Sequence, residues 1–214
     1  MRSLPVTESV GVSRPLINLS PPWRRLPAAK PNSISMLSEL DLLLDITSRL
    51  EEVGLDYMLT GSMALNHYAQ PRMTRDIDIV LAFYLKDLET LPQLFGDDFY
   101  YSEEAARQAI LQQSSFNVIH NESLIKIDFM IRKREEYREV EFERRQRIHV
   151  TGRPLWIVSK EDLILSKLDW ARQSQSERQL SDVENLLATG VDQDYLHLWS
   201  QKLNLTDMLT RVSP

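Results

Sequence analysis

Thr74-Arg75-Asp76-Ile77-Asp78-Ile79-Val80 alternates polar and apolar residues, the period of a β-strand half buried in a sheet. On such a strand Asp76 and Asp78 share one face, while Ile77 and Ile79 point to the other. The two carboxylates then project about 6 to 7 Å apart, a span that one or two magnesium ions bridge. Without cations they repel, which raises a carboxylate pKa and costs stability. An Asp-x-Asp on a solvent-facing strand is common, so its neighbours decide what it means.

Upstream, Tyr57 to Thr60 make a short apolar strand, Gly61-Ser62 a turn, and Met63 to Tyr68 a helix ended before Pro71. Glycine at that turn lets the backbone approach a neighbour closely, and helix N-terminal amides cradle phosphate. An ordinary strand-to-helix turn has the same look. Downstream, Leu124 to Ile131 alternates again, with Ile125, Ile127, Phe129 and Ile131 on one face and Lys126 and Asp128 on the other. If that strand neighbours the Asp76 strand, three carboxylates converge on one side of a sheet. The third serves as metal ligand or as base for an attacking hydroxyl.

The remaining pattern supplies helices and a hairpin. Leu37 to Val53 carries Leu40, Leu43, Leu44, Ile46, Leu50 and Val53 at helical spacing. Ile77 to Phe83 reads as strand, Leu85 to Phe95 and Glu103 to Gln113 as helices. Ser115 to Ile119 and the Leu124 strand form a hairpin across His120-Asn121-Glu122. Arg132 to Arg147, with both charge signs interleaved, reads as a solvated helix face rather than an RNA-binding surface. A strand at Pro154 to Val158 precedes Ser159, which caps a helix in the Ser-x-x-acid pattern, and two or three helices complete the chain.

Composition excludes several chemistries. The chain has no cysteine, so disulfides, thiolate zinc sites and cysteine nucleophiles are out. His67, His120, His149 and His197 lack the spacing of a zinc hydrolase. No apolar run is long enough to cross a bilayer. Residues 1–35 hold six prolines and a formal charge of +4, which leaves −10 on the rest of a chain whose total is −6. They read as a disordered leader, and Met36, which opens the first patterned segment, is a candidate start.

Apolar-Gly-Ser, thirteen intervening residues, Asp-Ile-Asp-Ile and a later strand carrying an acid together resemble the polymerase-beta-like nucleotidyltransferase superfamily. Within it, Thr74-Arg75-Asp76-Ile77-Asp78 is similar to the version in the AbiEii-type group of bacterial toxin-antitoxin and phage-defence systems. That group carries a lysine in a helix after an acid-Leu-Ile start and an aspartate in the next helix, matched here by Lys167 and Asp182.

The resemblance implies a mixed α/β fold. Its nucleotidyltransferase core, residues 36–158, is a small mixed sheet flanked by helices, and a C-terminal helical region, residues 159–214, packs on that core. It implies transfer of a nucleoside monophosphate from an NTP to a hydroxyl on tRNA, a protein or a small molecule. Asp76, Asp78 and Asp128 would hold Mg2+ or Mn2+, and Gly61, Ser62, Arg75 and Lys167 would meet the nucleotide, with Lys167 and Asp182 catalytic. A cognate antitoxin and a cytoplasmic location follow from the same likeness.

Three of these residues have plainer readings. Lys167, among Leu163, Ile164, Leu168 and Ala171, can snorkel to water. Asp182 gains from the helix dipole if it lies in a first turn. Arg75 can pair with a surface acid as well as with a phosphate. The rival functions are a sugar-nucleotide glycosyltransferase, which leaves Gly61-Ser62 unexplained, and a non-catalytic nucleotide-binding or antitoxin-like partner with the same fold.

Overall fold

Ser38 begins the described part of the chain, residues 38–213 of a computed structural model, with a capping box. Its hydroxyl accepts from the Asp41 amide at 3.1 Å, and Asp41 accepts from the Ser38 amide at 3.2 Å. The leader expected at 1–35 lies outside these residues. Helix α1 (Glu39–Glu52) buries Leu43, Leu44, Ile46 and Leu50, as its spacing predicts, and Leu42 besides. Strand β1 (Tyr57–Thr60) runs straight into α2 (Gly61–Tyr68), and β2 (Asp76–Leu81) returns antiparallel to β1.

The single helix expected over Leu85–Phe95 is two pieces. A 3-10 segment over Leu85–Thr90 hands over to α3 (Leu91–Phe95), because Pro92 lacks the N–H an uninterrupted helix needs and is tolerated in a first turn. Strand β3 (Phe99–Tyr100), too short to show a period, precedes α4 (Glu103–Gln112). The expected hairpin then forms from β4 (Ser115–His120) and β5 (Lys126–Ile131), with Ile119 opposite Lys126.

Arg132 to Arg147 departs most from its expected reading. Helix α5 (Glu136–Glu143) buries Tyr137, Glu141 and Phe142, so it is not simply a solvated face. Gln146–Val150 is strand β6, joined to β7 (Arg153–Ile157) through Thr151 and Gly152, both at positive φ as a tight two-residue turn demands. β6 is a sheet edge, and charge protects an edge against further pairing. The guanidinium groups of Arg145 and Arg147 lie 4.8 and 5.1 Å from the Trp156 ring.

The helix expected after Ser159 is α6 (Lys160–Ser174), and three more follow it, α7 (Glu177–Leu187), α8 (Gln193–Lys202) and α9 (Thr206–Val212), within the two or three expected. Ser159 caps α6 as its sequence indicates, accepting from the Asp162 amide. Among the described residues no helix is long and apolar enough to cross a membrane.

The seven strands lie in the order β3-β4-β5-β2-β1-β7-β6, with β2–β5 and β1–β7 parallel and the rest antiparallel. This is a mixed sheet of the expected class. On its central strands Ile77, Ile79, Ile127 and Phe129 are fully buried in the core. Asp76, Asp78, Val80, Lys126, Asp128 and Met130 keep solvent exposure on the opposite face. That half-open face of β2 and β5 is where chemistry can happen.

Candidate active site

Gly61 has φ +66, which glycine adopts without strain, and a Cβ built there would stand 2.0 Å from Asp78 Oδ2. The close approach follows from register, since antiparallel pairing sets Thr60 opposite Asp78 and puts the next residue against that carboxylate. No other residue type fits. Thr60 gives α2 no side-chain cap, so its first-turn amides keep donors available to an anion.

The parallel pairing of β2 and β5 sets Asp78 beside Asp128 and Asp76 beside Lys126. The third acid is therefore on the neighbouring strand, on the same face as the other two. Burial pushes Asp78 up to about 6, and the like charges of Asp128 and Asp76 push the same way. Lys126 Nζ lies 2.7 Å from Asp128 Oδ2, and that hydrogen bond raises the lysine pKa. Among the described residues no three acid or histidine side chains are already spaced around one ion, and Asp128 is paired with the Lys126 ammonium. The donor chemistry still suits a hard divalent cation, being all carboxylate, with Asp78 short of compensating positive charge.

Asp182 does not lie in a first turn, so the plainer reading through the helix dipole falls away. It sits in the middle of α7, which begins at Glu177, and it is 4% exposed. Lys167 does not snorkel either. Its ammonium is buried and donates to Asp182 Oδ2 at 2.8 Å and to Gln179 Oε1 at 3.1 Å. Burial pushes Lys167 down against the pull of Asp182, and burial also works to raise Asp182. For Asp182 the bonds from Arg72 and Lys167 win, so the carboxyl stays below its usual range and is an anion shared by two cations. Arg75 is exposed on the cavity rim.

Sequence reasoning missed Arg72. Its Nε and Nη2 donate to the two Asp182 oxygens at 2.8 and 2.7 Å, and Nη2 also donates to Ser62 Oγ at 2.7 Å. A basic residue just ahead of Asp-x-Asp is the available signal, and Arg75, the nearer one, carries it as well as Arg72 does. Lys126, two residues before Asp128, is a further site cation that the alternation alone does not single out.

These groups line one cavity of about 980 Å³. Gly61, Ser62, Arg72 and the acids occupy one part. Arg132, Arg138, Glu141, Ser166 and Trp170 supply further walls. That volume is at the upper end for small-molecule sites and accommodates a nucleotide.

A mixed sheet that aligns Asp-x-Asp with a third acid, beside a glycine-led helix, defines a nucleotidyltransferase of the polymerase-beta-like fold. Solved structures share the fold. The antibiotic-resistance factor ANT(2'')-Ia in solution superposes with a TM-score of 0.50 at 13% identity, covering 79% of this chain and 93% of that one. ANT(2'')-Ia in complex with adenylyl-2''-tobramycin gives 0.50 at 16% identity, covering 73% and 91%. The family model described as "Nucleotidyl transferase AbiEii toxin, Type IV TA system" matches residues 48–206, and the chain belongs to that family. No curated protein matches it.

Proposed function

We propose that the protein transfers a nucleoside monophosphate from an NTP to a hydroxyl acceptor in a divalent-metal-dependent reaction at the Asp76, Asp78, Asp128 face. The observation that carries this reading is the in-register pair Asp78 and Asp128 at the cavity, with Asp78 pressed against Gly61. Asp76 and Asp78 would hold Mg2+ or Mn2+, and Asp128 would complete the set once Lys126 swings away. When bound, such a cation neutralises charge on the α-phosphate and on departing pyrophosphate. The first-turn amides of α2 and the Ser62 hydroxyl receive the triphosphate. Lys167, held by Asp182, adds positive charge that needs no reorganisation during reaction. Arg75 on the rim meets whichever anion enters.

Within this reading the chain is the toxin component of its system, acting in the cytoplasm, and a cognate antitoxin is its partner. The acceptor is tRNA, a protein hydroxyl or a small molecule. Incubation with each α-labelled NTP, magnesium and a cell extract should label one molecular class and release pyrophosphate. Release of a nucleoside diphosphate would indicate glycosyl transfer instead. Nucleotide binding without any product would indicate the non-catalytic partner.

A further inference from the structure

The loop between α2 and β2 is pinned at two consecutive anchor points. Asn185 on α7 accepts from the Gln70 amide at 3.2 Å and donates to the Gln70 carbonyl at 2.9 Å. Asn66 on α2 does the same to Arg72, accepting from its amide and donating to its carbonyl, both at 2.9 Å. Pro71 between them fixes φ and has no amide hydrogen to satisfy. The Arg72 backbone is thus immobilised before its side chain is considered.

The side chain is held as firmly. Asp182 grips it at two points, and Ser62 accepts from its Nη2. Its Nη1 makes only a long 3.5 Å contact with the Met73 carbonyl, and Arg72 lines the cavity. Donors therefore remain for a ligand. Charge points the same way, because Arg72 and Lys167 share the single carboxylate of Asp182, and Asp78 is the next acid that acts on both. Ser62, which Arg72 bonds, stands in the uncapped first turn of α2.

We propose that Arg72 contacts the phosphates of the bound nucleotide, and that Asp182 and Asn185 are positioning residues through which α7 aims it. The proposal rests on the nucleotidyltransferase reading and adds to it a phosphate contact and a two-residue brace. Arginine suits the place because its planar fork serves Asp182 and Ser62 with one plane while presenting a free edge. Lysine has one nitrogen and cannot span those partners together. Asn185 touches no ligand in this scheme, and its effect comes only through the loop.

The test uses inorganic tripolyphosphate and each NTP as probes, titrated calorimetrically in metal-free buffer of fixed salt, on the full chain. Arg72→Ala should weaken both probes about 10- to 30-fold, the scale of one charge-assisted contact. Arg72→Lys should recover only part of the loss. Asn185→Ala and Asn185→Asp, the latter setting an oxygen against the Gln70 carbonyl, should each weaken the probes roughly 3- to 10-fold with KM rising more than kcat falls. The Asn185 variants carry the test if Arg72→Ala does not fold. Unchanged probe affinity in the folded variants would reduce Arg72 to a tie between α7 and the loop, overturning the inference while α-label transfer persists. A wild type that transfers label yet ignores tripolyphosphate would overturn it too. A wild type that neither binds an NTP nor transfers label would bring down the functional reading itself, and the inference with it.

Discussion

Asp78 is half-buried and Asp162 fully buried, and their surroundings treat the two acids in opposite ways. Asp162, fully buried between α5, α6 and α8, accepts from Ser159 Oγ, from Arg144 Nε at 3.1 Å, and from the Tyr195 and Tyr137 hydroxyls at 2.6 and 3.3 Å. Arg144 also stacks 3.8 Å over the Tyr195 ring. Every lone-pair direction of that carboxylate is used. Asp78 is held up by burial and by two acids of its own sign, with Lys167 and Lys126 pulling the other way from a distance. Burial by itself therefore does not mark a functional acid. An acid left short of donors does.

The comparison breaks most visibly if Asp78→Asn keeps its activity. Label transfer should fall by roughly three orders of magnitude or more, as when a central electrostatic group is removed from an active site. The melting temperature in EDTA should hold or rise, because repulsion is relieved. The complementary change, Asp162→Ala, should cost about 3–5 kcal/mol in denaturant unfolding by leaving Arg144 and two tyrosine hydroxyls without their acceptor. Transfer per folded molecule should stay within about twofold. A stable but inactive Asp162→Ala would invert the two roles.

pH sharpens the contrast. Because Asp78 titrates near 6 in the folded protein against an ordinary 3.8, the folded state binds its proton more tightly. The resulting stabilisation is complete below about pH 4 and is lost as pH rises through 6. In EDTA, wild type should lose on the order of 2 kcal/mol relative to Asp78→Asn across that window. A flat difference between the two proteins would mean that Asp78 is already compensated. The smallest effect belongs to Lys126→Met, which removes the ammonium from Asp128. Mn2+ affinity, measured by calorimetry, should rise about fivefold from the loss of one nearby positive charge. Weaker Mn2+ binding would show that Lys126 supports the ion rather than competing with it.

Much of the fold was legible because period-2 alternation is a local signal. It identified β2 and β5, their polar faces, and the glycine turn ahead of them. The strand partnership itself was only conditional in the sequence, since nothing local says that Asp78 pairs with Asp128. β6 was hidden because edge protection and solvated helix faces use the same charged residues. Arg72 was hidden for a different reason: its partner Asp182 is 110 positions away, and neither residue is unusual where it stands. The place of Asp182 within its helix was not legible either, since α7 begins at Glu177 and its N-cap Ser176 makes no side-chain capping bond.

The brace from α7 to the loop also has a consequence in time. Gly61, Asp78 and Asp128 emerge from a ribosome before Asn185, and at roughly 5–20 residues per second the interval from Asp128 to Asn185 is about 3 to 11 s. Through that interval the acids exist on a chain whose Arg72 has neither Asp182 nor the Asn185 anchor to orient it. A nascent chain is thus kept from competent catalysis until its last third has been made. For a nucleotidyltransferase of this family, the order of synthesis is itself a delay on activity.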